Sequence, residues 1–168
     1  MKLEDLMPTQ VWEALERELH NRSGLNACTY DRDGNRITSF AAWANGLCPQ
    51  IKSSAQGVAT ICAVANQYFT NQARETGQLV IGECDAGLAK FALPIVHQGE
   101  FLGTLGGCGF RFPQSEVETF LIHKATGLKM EDLERESGRV SEITRQEVEA
   151  LAGWMQKRLD QALMRGTA

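Results

Sequence analysis

Cys48, Cys62, Cys84 and Cys108 are the residues whose chemistry could define this chain, because a thiolate is both a nucleophile and a soft metal ligand. Their separations are wide, with no paired CxxC knuckles of a zinc ribbon and no dense cysteine run of a bacterial ferredoxin. Two readings stay open for each. Ligands from separate elements can converge in a fold on zinc or an iron-sulfur cluster, and a free cysteine can equally serve as a small apolar filler. Cys28, alternating within an expected strand, reads as filler. His20, His97 and His123 fall on a helix end, a turn and an apolar helix, so no cysteine–histidine nucleophile pair is recognisable. Glu83 and Asp85 flank Cys84, and strand alternation puts both opposite its thiol, which suits solvation or capping rather than acid–base work. The run GTLGGCG, residues 103–109, lacks the lysine and threonine of a phosphate-binding loop and suggests a bulge or a close backbone approach to a ligand.

The elements that must position these groups follow from patterning. Pro8 and Thr9 open a helix in which Val11, Trp12, Leu15 and Leu19 recur at helical spacing, and Gly24 stops it. LNACTYDRDGNRITSF reads as strand, Asp-Gly turn, strand. Between Ser53 and Thr76, Val58, Ile61, Val64, Ala65 and Tyr68 mark a core-facing helix ended by Gly77. QLVIGEC suits a short strand. LAKFALPIV alternates Leu88, Lys90 and Ala92 against Ala89, Phe91 and Leu93, and HQGE turns it into FLGTLGGCGF. Ser115 and Glu118 suggest a capping box for the next helix, and a final amphipathic helix spans about 144–164. The order predicts an α+β domain of the PAS/GAF type: an antiparallel sheet with helices packed on one side and a long C-terminal helix.

Composition excludes several classes. The 168 residues suit a single domain over 1–168, its core at about 4–125. The 17 basic and 21 acidic residues are intermixed, giving a net charge of −4 with no basic block for phosphates, so nucleic acid is not expected as a partner. No apolar window is long enough for a membrane span, and the N-terminus does not read as a signal peptide. A cytoplasmic protein with reduced cysteines is the expectation.

From about Glu4 to Phe110 the chain resembles the PocR-type sensory domain, a ligand-binding module of bacterial signalling proteins related to PAS-like folds. The resemblance rests on SGLNACTYDRDGNRIT, LCPQI, TICAVAN and ECDAGLAKFALPIVHQGEFLGTLGG, in that order. It implies a sensor rather than an enzyme. Family members are fused to kinases, chemoreceptors, cyclic-nucleotide enzymes or DNA-binding domains and sense small organic compounds such as simple alcohols. The family's cysteine positions fall on Cys48, Cys62 and Cys84. Asp85 stands where the family often has histidine, and Cys108 stands where a polar residue is usual, which would supply a fourth thiolate.

The expectations are therefore a small organic ligand in a pocket lined by Trp43, Cys84, Asp85, Phe91 and Leu93, or a metal or redox site of zinc or an iron-sulfur cluster on Cys48, Cys62, Cys84 and Cys108. The stripe of Val148, Leu151, Met155, Leu159 and Ala162 or Leu163 suits either a homodimer through the C-terminal helix or closure of the domain's own core. The signal would pass to a partner protein or to an output domain of a longer chain.

Overall fold

The computed structural model describes residues 1–166, so the last two residues of the expected 1–168 domain lie outside the described residues. Two helices open the chain, α1 (Leu3–Leu6) and α2 (Thr9–Ser23). Strand β1 (Asn26–Asp31) follows, then α3 (Cys48–Lys52) and a composite helix of α4 (Ala55–Gly57), a π-helical turn (Val58–Cys62) and α5 (Ala63–Thr76). Strands β2 (Val80–Glu83), β3 (Ala89–His97) and β4 (Glu100–Cys108) come next. Helices α6 (Thr119–Thr126), α7 (Met130–Ser137) and α8 (Arg145–Gly166) complete the chain. The sheet is antiparallel in the order β1-β4-β3-β2, which is the α+β, PAS/GAF-like arrangement that patterning predicts.

The helices lie on both faces of this sheet, not on one. Side chains alternate across a strand, so one face carries Ala27, Leu105, Phe91 and Leu93, which pack with Trp12, Leu15 and Leu19 of α2 and Leu151, Met155 and Leu159 of α8. The other face carries Asn26, Cys28, Tyr30, Lys90 and Ala92. Phe69 of α5 covers it, its ring 3.3 Å from where a side chain on Gly82 would begin. A second cluster of Leu47, Ile51, Ile61, Leu88, Ile122 and Leu133 continues from that face under α3, α6 and α7.

Three local expectations change. The second strand of the first hairpin does not extend: after the turn the pairing stops at the Tyr30–Arg36 bridge and the Ile37 N–H to Thr29 carbonyl bond, and the Arg36 guanidinium donates to the carbonyls of Ala27 and Phe40. The composite helix faces the core through Ile61, Ala65, Phe69 and Ala73. Val64 and Tyr68, expected inside, are 48% and 58% exposed, since a face that holds through three steps of four residues leaves their positions outside. Ser115 does not cap α6, which starts four residues later, and its hydroxyl donates to Glu83 instead. A reciprocal cap forms at Thr144: its Oγ1 accepts from Glu147 N at 3.1 Å and Glu147 Oε2 accepts from Thr144 N at 2.7 Å.

The apolar stripe of α8 resolves in favour of the protomer's own core. Val148, Leu151, Ala152, Met155 and Leu159 are buried against the sheet, so the stripe invoked for a homodimer is already covered. Arg158 ties α8 to α2 through a fork of hydrogen bonds to Glu18 at 2.7 and 2.8 Å. No described helix is long and apolar enough to cross a membrane.

Candidate ligand cavity

The cavity lies between the α5-facing side of the sheet and the helices that cover it. Its floor follows from register. Asn26 pairs with Cys108 and Cys108 with Lys90, so these three residues of β1, β4 and β3 stand in one row on one face. Tyr30 lies two rows away on the same face. Above the floor are Ile61, Cys62, Ala65 and Asn66 of the composite helix, with Cys48 and Ile51 of α3 and Cys84, Ala86 and Leu88 of the β2–β3 connection at one end. Trp43, 39% exposed, stands in the wall at the protein surface. The enclosed volume is about 40 Å³.

Each thiol is held by a local device. Asn45 anchors the start of α3: its Oδ1 accepts from the backbone N–H groups of Leu47 and Cys48, both at 2.8 Å, and its Nδ2 donates to Gly109 O at 2.6 Å and to Cys48 Sγ at 3.3 Å. Cys62 belongs to the π turn, whose wider winding is a frequent feature of functional sites. Cys84 begins a tight turn in which Gly87 N donates to Cys84 O and Cys84 N to Leu88 O, both at 2.9 Å. Gly87 has φ +79°, and a Cβ there would come within 2.1 Å of Glu116 O, so the turn admits only glycine. Cys108 is the last residue of β4.

Burial favours the neutral thiol at Cys48 and Cys84. Burial pushes the Cys84 thiol up to about 11, against the pull of hydrogen bonds from the Leu88 and Ala86 backbone, and burial likewise raises Cys48, with Cys108 adding to the effect. Cys28 is raised by burial, and the Tyr30 phenol is held well above its ordinary range for the same reason. Two polar groups on this face lack partners. Asn26 Oδ1 is buried without a hydrogen bond, while its Nδ2 donates to Cys28 Sγ at 3.6 Å. Lys90 is only 7% exposed. Its ammonium lies 5.1 Å from the Tyr30 ring centroid and 5.6 Å from that of Phe69, with no hydrogen bond or ion pair among the described residues.

Set against the sequence expectations, the structure brings Cys48, Cys62, Cys84 and Cys108 to one cavity and puts Trp43 in its wall. It places Asp85 in solvent at the outer side of the turn, away from the lining residues. Phe91 and Leu93 point to the opposite face, into the core with Trp12, because period-two alternation sends them away from Lys90 and Ala92. Sequence reasoning separated the two faces of this strand but took the apolar one as the pocket wall. The signal it passed over is Lys90 itself, a cation inside a strand that is otherwise apolar from Ala89 to Val96. Asn26, Tyr30 and Asn66 were also missed; only three-dimensional register joins them to Lys90. Among the described residues, no three histidine, cysteine, aspartate or glutamate side chains are grouped closely enough to hold a metal ion, so the four thiols as placed do not fit zinc or an iron-sulfur cluster.

A search of curated proteins finds no match to this chain. The family model described as the sensory domain found in PocR matches residues 5–166, which takes the likeness past Phe110 and through α8. With nearly the whole length matched, the chain belongs to the PocR sensory-domain family.

Proposed function

We propose that this domain is a non-enzymatic signalling sensor that binds a small organic ligand in the cysteine-lined cavity and passes the signal to a partner protein or output domain. One observation carries the reading. A cavity closed by four separate elements is lined mainly by apolar groups and thiols, yet holds a few polar groups without partners, which is the make-up of a small-molecule site. The π turn supplies the moving part: Cys62 lines the cavity from it, and filling the cavity shifts the turn and with it α5, whose exposed Val64 and Tyr68 face outward for a partner. A homodimer through α8 would use that helix's polar outer face, since its apolar stripe is covered.

A thermal-shift screen with short alcohols, diols and small organic acids tests the reading. A ligand present at 100 times its dissociation constant stabilises the native state by about 2.7 kcal/mol, which for a domain of this size raises the unfolding temperature by roughly 5–10 °C. No shift with any compound overturns it. The metal or redox reading on Cys48, Cys62, Cys84 and Cys108 requires the sulfurs to draw together from where they stand. Stoichiometric zinc or iron in anaerobically purified protein, lost in Cys84→Ser, would favour it over the organic ligand.

A further inference from the structure

Lys90 is buried in the floor of the cavity with no anion beside it. No aspartate or glutamate lines this cavity or the smaller one adjoining it, which shares Tyr30, Asn66 and Lys90. Burial raises the Cys48 and Cys84 thiols and the Tyr30 phenol, which disfavours their anionic forms as partners for the charge. Only the Tyr30 and Phe69 rings face the ammonium, at 5.1 and 5.6 Å. These cation–π contacts contribute up to about 2 kcal/mol and carry no compensating negative charge, so the ammonium remains open to an anion from the cavity. In the same row, on the far side of Cys108 from Lys90, Asn26 Oδ1 is a buried acceptor that still needs a donor, and in the adjoining cavity Thr70 Oγ1 is likewise without a partner. Water could fill these spaces, but water does not neutralise a charge.

We propose that the cavity's ligand is a short aliphatic carboxylate bearing a hydroxyl group, with the carboxylate on the Lys90 ammonium, the hydroxyl donating to Asn26 Oδ1 and the carbon chain against Ile51, Ile61, Ala65 and Leu88. The inference rests on the reading of the cavity as a small-ligand site and narrows it to an anion. Size agrees: a volume of about 40 Å³ open to the centres of water-sized spheres holds roughly three waters, or about 90 Å³ of liquid, close to a three-carbon acid.

Isothermal titration calorimetry on the whole chain at fixed pH and ionic strength tests this with lactate, its neutral amide lactamide, and 1,2-propanediol. A charge-assisted hydrogen bond predicts that lactate binds about 10- to 150-fold more tightly than either neutral compound. Lys90→Met, which keeps the length of the side chain, should remove that preference without lowering the unfolding temperature. If this variant does not fold, the comparison of lactate with lactamide on the unaltered protein still decides. Equal or tighter binding of lactamide or the diol overturns the carboxylate and leaves the small-ligand reading intact, while binding of none of the three overturns the carboxylate and counts against both. Lactate binding that survives Lys90→Met overturns the assignment to Lys90 and points to Lys52, the other cation lining the cavity, while binding that sodium chloride or inorganic phosphate matches at equal concentration overturns it as a general anion effect.

Discussion

Lys90 stands directly opposite Cys108 in the β3–β4 ladder, so the one buried cation among the described residues shares a sheet face with a thiol and with Asn26 beyond it. The β3–β4 hairpin and the distant strand β1 thus contribute one polar row to a floor that is otherwise largely apolar. The row distinguishes this face from the other, where Phe91, Leu105 and Ala27 meet α2 and α8 and the buried carboxyl of Glu16 is paired with Arg36.

The raised thiols make a reactivity prediction. At pH 8, a thiol near 11 holds about 100-fold less thiolate than one at its ordinary value of 9.0. Cys84 in the native protein should therefore react with iodoacetamide about 100 times more slowly than in urea-unfolded protein, as peptide mass spectrometry of timed samples would measure. Equal rates in the two states would contradict its burial.

The same shift has a stability consequence. The folded-state value of Cys84 lies above the unfolded one, so the stabilisation is complete below about pH 8.5 and is lost as pH rises towards about 11. Its size is on the order of 3 kcal/mol. Urea unfolding between pH 8 and 10 should show stability falling with pH, and Cys84→Ala should flatten that fall. A slope unchanged by the substitution would assign the pH dependence to other groups.

Leu159 tests the role of α8. It is buried against the main core, and Leu159→Ala should lower unfolding free energy by about 2–5 kcal/mol. The loss should be independent of protein concentration, because the contacts lie within one chain. An unfolding midpoint that rises with protein concentration, with a variant that merely dissociates, would instead place the stripe between two copies.

Trp12 tests the joint between α1 and the core. Its indole is fully buried and Nε1 donates to the carbonyls of Leu3 and Met7, each at 3.1 Å. Trp12→Phe keeps a ring but leaves both carbonyls without this donor, at about 1–3 kcal/mol. Amide hydrogen exchange should then rise first in residues 3–7. Uniform exchange across the chain would show that the indole supports the whole core rather than this joint.

Gly87 tests the turn that presents Cys84. With φ +79° and Glu116 O in the way, Gly87→Ala combines backbone strain with a steric clash and should cost more than about 1 kcal/mol. Ligand-induced thermal shifts should weaken with it, since the turn carries Cys84 and Ala86 in the cavity wall. Full retention of stability would mean that the turn relaxes without effect on the site.

The sequence by itself determined which segments form helices and strands, because apolar period and punctuation are local. Gly24 and Gly77 end helices where expected, His97 to Glu100 make the β3–β4 turn, and the strand alternation in LAKFALPIV is visible as written. The ordered motifs also pointed to the family that the match over residues 5–166 establishes. Which face of a strand becomes a cavity and which a core is not local: it depends on what packs there. Phe91 and Leu93 looked like pocket walls until α2 and α8 covered them, and Val64 and Tyr68 looked buried until the composite helix settled on Ile61, Ala65, Phe69 and Ala73. Tertiary structure alone decided that four thiols from four elements would line one space and that Lys90 and Asn26 would meet across Cys108. Register between strands some 60 to 80 residues apart leaves no periodic trace in the chain.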